Sequence, residues 1–213
     1  MTVIHELAVP GKSVLRVSAG HATSIWGRRT RALHMKEVIF LKRMVQQVNA
    51  RRILELGTFD GTSALAMAEC LPDDGELITC EINSGLAGLA RKRAGRHAHG
   101  HKVDVRTGPA LETIRQLSGP FDLIFIDADT KNYVHYFHLA VDLLAPFGVI
   151  LIDNMQASEV ILNGAGYENN ESAVAILELA RQLKSDDKLN AQLAPVRDGV
   201  MVITPKAPAK RSS

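Results

Sequence analysis

The sequence predicts a doubly wound α/β domain, a mostly parallel sheet of seven strands that ends in an antiparallel hairpin and carries helices on both faces. Three observations predict it. From Arg51 onward, short β-branched runs alternate with helix-length segments, the pattern of parallel strands joined by crossover helices. The last two strand-like runs are separated only by Arg197-Asp198-Gly199, whose Asp-Gly step suits a tight turn. At 213 residues, with 46% hydrophobic and 23% charged, the chain has the length and composition of one globular domain.

Taken in order, Leu33–Val48 places Val38, Leu41, Met44, Val45 and Val48 at helical spacing and predicts a leading helix on the domain edge. The segment before it, residues 1–32 with Trp26, is expected to cover the active site or a subunit interface, with Arg28, Arg29 and Arg31 in a solvated loop. Parallel strands are predicted at Arg52–Leu56, Glu76–Glu81, Val103–Thr107, Phe121–Ile126 and Gly148–Ile152. Helices are predicted near Thr62–Cys70, Ser84–Ala94, Ala110–Leu117, Tyr133–Leu144 and Asn170–Lys184. Leu189–Val196 and Val200–Thr204 form the closing hairpin of a domain over residues 33–206, and residues 207–213 are read as a flexible basic tail.

Composition narrows the partners. The 25 Lys+Arg against 23 Asp+Glu leave a formal charge of +2, too small for a dedicated nucleic-acid binder, so a small molecule is favoured. No apolar run approaches the ~20 residues of a membrane span. His5, Glu6, Lys12 and Arg16 interrupt what a signal peptide needs apolar, so an untargeted cytoplasmic protein is expected. Cys70 and Cys80 lack metal-ligand or CxxC spacing and read as free thiols of a reducing compartment.

In open parallel sheets, ligands sit beyond the carboxyl ends of the strands, where strand order reverses. There Glu55-Leu56-Gly57-Thr58-Phe59-Asp60-Gly61-Thr62-Ser63 runs from a strand through two glycines into a helix whose first residues carry hydroxyls. The spacing is not GxGxxG and no P-loop lysine follows, which argues against a dinucleotide or a triphosphate. Glu81 ends the second strand, where an acid accepts hydrogen bonds from ribose hydroxyls; the plainer alternative is that it caps the helix opening at Ser84. Together the turn and the acid point to a nucleoside without phosphates.

Leu54–Leu65 resembles the cofactor loop of class I S-adenosylmethionine-dependent methyltransferases. Leu71-Pro72-Asp73-Asp74-Gly75, Gly108-Pro109-Ala110-Leu111, Phe125-Ile126-Asp127-Ala128-Asp129, Asn132-Tyr133 and Ile152-Asp153-Asn154 extend the resemblance to the cation-dependent O-methyltransferases of catechol and caffeoyl-CoA type. It implies a Rossmann-like class I methyltransferase fold and a homodimer. It also implies that Glu55, Gly57, Thr58 and Ser63 hold the methionine end of S-adenosylmethionine, that Glu81 takes the ribose, and that Ile82, Pro109 and Ala110 flank the adenine, with Asp127 also touching the cofactor. Ile82 as core, and Gly108-Pro109 as a plain helix start, are the duller readings of those residues.

Asp127 ends the fourth strand and Asp153-Asn154 follow its neighbour, so three oxygen side chains converge on what suits a hard divalent cation such as magnesium. The alternative for Asp153-Asn154 is a turn and a cap. Methyl transfer from a sulfonium to a phenol needs an oxyanion near neutral pH, and a cation gripping two vicinal hydroxyls supplies one while fixing its direction. The family lysine three residues after the first aspartate is Thr130 here, with Lys131 one residue on as the candidate base beside Asp127. The family tryptophan after the Asp-Asn pair is replaced by Met155-Gln156-Ala157-Ser158, which points to a different acceptor pocket.

His97, His99 and His101 read as a solvated loop rather than a metal tract, His135 and His138 as a helix surface, and Lys36, Lys42 and Arg43 as the wet face of the leading helix. The leading function is methyl transfer to a catechol-like or other phenolic small molecule. The alternatives are methylation of a hydroxylated uridine in tRNA, or a cofactor-binding homologue with little turnover.

Overall fold

The computed structural model describes residues 4–7, 15–18, 26–155 and 170–206, with side chains from Met35 onward. Strands β1 (Ile4–Leu7) and β2 (Leu15–Ser18) pair antiparallel in a small hairpin of their own. Helix α1 (Trp26–Val48) follows. The main sheet holds β3 (Arg52–Leu56), β4 (Glu76–Glu81), β5 (Val103–Thr107), β6 (Phe121–Ile126), β7 (Leu144–Ile152), β8 (Leu189–Ala194) and β9 (Val200–Pro205). Between them lie α2 (Thr62–Ala68), α3 (Ser84–Ala94), α4 (Ala110–Arg115), α5 (Tyr133–Leu143) and α6 (Glu171–Ser185).

Strand order is β5-β4-β3-β6-β7-β9-β8. The first five are parallel, and β9 lies antiparallel between β7 and β8. The expected doubly wound sheet with a terminal hairpin is therefore present. Order reverses between β3 and β6, the point at which open parallel sheets take their ligands.

Alternation along each strand divides the core in two. Ile53, Leu77, Leu123 and Leu151 face one way and pack under Leu41, Met44, Val45 and Val48 of α1 and Met67 of α2. Leu54, Ile78, Ile124 and Ile150 face the other way, against Ile114 of α4, Tyr136 and Phe137 of α5 and Leu179 of α6. Leu41, Met44, Ile53 and Leu54 are wholly buried, each contributing ~1.5–3 kcal/mol by leaving water.

Two boundaries differ from the periodicity by more than two residues. Helix α1 begins at Trp26 rather than Leu33, so Arg28, Arg29 and Arg31 lie on the helix and not in a loop before it. Arginine and alanine propagate a helix well, but a polar first turn leaves no apolar stripe to mark it. Strand β7 starts at Leu144, where Phe121 pairs with Leu144 before an irregularity restores the register at Leu123 and Val149. An exposed Phe147 and a glycine conceal that stretch from an alternation test. The tail, residues 207–213, and residues 156–169 lie outside the described residues.

Candidate active site

The register of the sheet builds the site. Leu56 pairs with Cys80 and with Ile126, and Ile126 pairs with Ile152, so Gly57, Glu81, Asp127 and Asp153 form one row beyond the carboxyl edge. Backbone hydrogen bonds hold that row after pairing ends: Gly57 and Thr58 donate to the Cys80 carbonyl (3.0 and 3.1 Å), Asp127 to Leu56 (2.8 Å) and Asp153 to Ile126 (3.0 Å).

On the β3–β4 side, Gly57 adopts φ +101°, and a Cβ there would lie 2.0 Å from the Asp127 carbonyl oxygen. Only glycine fits a positive φ and a close approach together. Glu55 is wholly buried and accepts a hydrogen bond from Thr79 Oγ1 at 2.5 Å, and the Thr79 hydroxyl also meets that of Thr58 at 2.5 Å. Burial raises the Glu55 carboxyl from 4.5 to about 8, and the hydroxyls of Ser63 and Thr79 pull against it. Ser63 lies in the first turn of α2.

Glu81 is 8% exposed, and its two oxygens accept from the backbone N–H of Phe59 and of Asn83, each at 2.8 Å. The cap of α3 is instead Asn83, whose Oδ1 accepts from Gly85 and Leu86. That removes the capping alternative for Glu81. A carboxylate has about four lone-pair sites, so two remain for hydroxyls of a ligand. Ile82, 72% exposed, is not core, and Phe59 beside it is 65% exposed. Gly108 takes φ +143° with open space where a Cβ would go, Pro109 precedes α4, and Ala110 begins it. The Gly108 N–H donates to the Glu81 carbonyl at 2.9 Å, which holds this turn beside the end of β4.

On the β6–β7 side, Asp127 Oδ1 accepts from Asn154 Nδ2 at 3.3 Å, and Asn154 sits at φ +62°, a conformation asparagine tolerates. Asp153 is wholly buried. Its Oδ2 accepts from Arg197 Nη1 at 3.3 Å, and its Oδ1 has no hydrogen-bond partner among the described residues. Burial, reinforced by the Asp127 and Glu37 carboxylates, raises Asp153 to about 7. The Tyr133 hydroxyl, buried nearby, is held well above its ordinary value by burial and by Asp127, Asp153 and Asp129, although Asn154 opposes the shift.

Two residues of this site were not expected. Glu37 of α1 is 3% exposed and accepts from Arg197 Nη1 at 2.9 Å. One oxygen each of Glu37, Asp127 and Asp153 lie within 4.8 Å of one another. A signal for Glu37 existed: it stands at the i−4 and i−8 positions of Leu41 and Val45, an acid on an apolar stripe. Arg197, read as a turn residue, carried none. Thr130 and Lys131 lie on a short 3₁₀ turn, Thr130 half-buried and Lys131 exposed. The histidines at 97, 99 and 101 form no such group of metal-binding side chains among the described residues, and His97 pairs with Glu69 at 3.2 Å. No helix among the described residues is long and apolar enough to cross a membrane.

The profile of the O-methyltransferase family matches residues 21–206. A probable caffeoyl-CoA O-methyltransferase 2 of Dictyostelium discoideum is 31% identical over 171 residues, covering 78% of this chain and 73% of its own. The catechol O-methyltransferase of Niastella koreensis is 40% identical over 141 residues, 64% of this chain and 62% of its own. Among solved structures, the O-methyltransferase from Bacillus cereus in complex with SAH shares 33% identity, with 80% of each chain covered and a TM-score of 0.72.

Proposed function

The chain belongs to the O-methyltransferase family, and on that premise we propose that it moves a methyl group from S-adenosylmethionine to a hydroxyl of a catechol-like or other phenolic small molecule, with a divalent cation, magnesium by preference, at the strand ends. One observation carries the reading. The row Gly57, Glu81, Asp127, Asp153 puts a nucleoside-accepting half and an oxygen-rich half side by side across the reversal of strand order. That the Bacillus cereus relative binds SAH supports the first half. The buried, unpartnered Asp153 Oδ1 among other carboxylates supports the second, because such a cluster favours a positive charge beyond Arg197.

In this reading Glu55, Gly57, Thr58 and Ser63 hold the amino-acid end of the methyl donor, Glu81 accepts the ribose hydroxyls, and Ile82, Pro109 and Ala110 pack on the base. Asp127, Asp153 and Asn154 hold the cation. When bound, the cation supplies electrostatic stabilisation for the oxyanion of the acceptor. The close approach of Gly57 to Asp127 sets the distance between donor and acceptor halves and so serves proximity. Lys131, four residues after Asp127, is the group that takes the hydroxyl proton.

The test is a methyl-transfer screen over catechols, hydroxylated amino acids, CoA esters and tRNA, with and without magnesium. Transfer to a vicinal diol that chelation abolishes, and that Asp153→Ala loses while keeping its affinity for S-adenosylmethionine, is the expected result. Full activity of verified metal-free enzyme overturns the cation, and transfer only to tRNA overturns the acceptor class.

A further inference from the structure

We propose that Glu37 is a fourth protein ligand of the divalent cation, with Arg197 balancing its charge; the inference rests on the cation reading above. Glu37, Asp127 and Asp153 each offer one oxygen, all within 4.8 Å of one another. Oxygens on opposite sides of one ion are ~4 Å apart for magnesium and ~5 Å for calcium, so these side chains need only small adjustments to share it. Glu37 is 3% exposed, which means that α1 delivers this carboxylate into the interior rather than to water.

Asp153 belongs to that cluster, and its buried Oδ1 has no hydrogen-bond partner among the described residues, a second sign of a missing positive neighbour. Charge counting agrees. Arg197 bridges Glu37 and Asp153 at 2.9 and 3.3 Å and also meets the solvent-exposed Asp198 at 3.3 Å; the three clustered carboxylates and the guanidinium alone leave a formal −2 that one divalent ion cancels. The consequence is selectivity. With Asp127, Asp153, Asn154 and Glu37 engaged, an ion of about six positions keeps about two, enough for two vicinal oxygens of an acceptor.

Manganese(II) alone, added to the full chain, provides the probe. Electron paramagnetic resonance of the free ion reads affinity, and water-proton relaxivity per bound ion reads the waters in its inner shell. In Glu37→Ala, binding weakens ~10-fold or more and the bound ion gains one water, because a charged ligand has left. In Arg197→Ala, where the guanidinium no longer offsets Glu37, binding tightens. Unchanged relaxivity in folded Glu37→Ala overturns the inference, whatever its affinity. If that variant does not fold, Glu37→Gln reads the charge: several-fold weaker binding supports the proposal and wild-type affinity overturns it. A wild-type chain that binds no manganese overturns the cation reading itself, whereas loss in Asp153→Ala with wild-type behaviour in the Glu37 variants overturns only the role of Glu37.

Discussion

Glu81→Ala separates the hydrogen bonds this carboxylate makes within the chain from the ribose contact proposed for it. In the folded chain its oxygens accept from the Phe59 and Asn83 backbone N–H groups at 2.8 Å, tying the turn after β3 to the end of β4. An orphaned donor costs ~1–3 kcal/mol. The Phe59 side chain is 65% exposed, so water reaches this rim and the lower end applies, ~2 kcal/mol of folding stability for the pair. The ribose hydroxyls lose a charged acceptor as well, worth ~1.5–3 kcal/mol, or ~10- to 150-fold in the dissociation constant for S-adenosylmethionine. Urea unfolding measures the first loss, and calorimetric titration of the variant at a temperature where it is folded measures the second. A folded Glu81→Ala with lower stability and wild-type affinity refutes the reasoning, reducing Glu81 to a strut for the turn.

Lys131→Met is expected to lower kcat by ~10²–10⁴ with little change in cofactor affinity, the range for loss of a general base. Steady-state kinetics on Lys131→Met and Thr130→Lys decide the matter: a silent first variant with a strong gain in the second shows that the base is missing from this chain. Glu55 gives a pH dependence. Its carboxyl is raised from 4.5 to about 8, so the folded chain holds a proton that the unfolded chain releases. The stabilisation is fully present below 4.5 and lost as pH rises through 8, so the wild type loses stability relative to Glu55→Gln across that window in urea titrations.

Much of this molecule was legible locally. The bounds of β3, β4, β5 and β6 follow from β-branched runs between turn residues, and aligning their ends is enough to place Gly57, Glu81 and Asp127 in one row. Asp153 and Asn154 follow from β7 as its neighbour, even though that strand begins before Gly148. The Glu37–Arg197 contact was not legible, because it joins residues 160 positions apart and neither periodicity nor turn chemistry reports such a pairing. The start of α1 was hidden for the opposite reason: its first turns are polar, and amphipathic spacing marks only the stretch that packs.

The reversal of strand order also divides the molecule into two wings. In the proposed reading, the residues for the methyl donor come mainly from one wing, β3 to the start of α4, and those for the acceptor from the other, β6 to the β8–β9 turn with α1 reaching across. On that reading, substitutions in the second wing change which molecule is methylated while the donor's wing is left intact. The two wings meet at Gly57, where a single added carbon would collide with Asp127 at 2.0 Å.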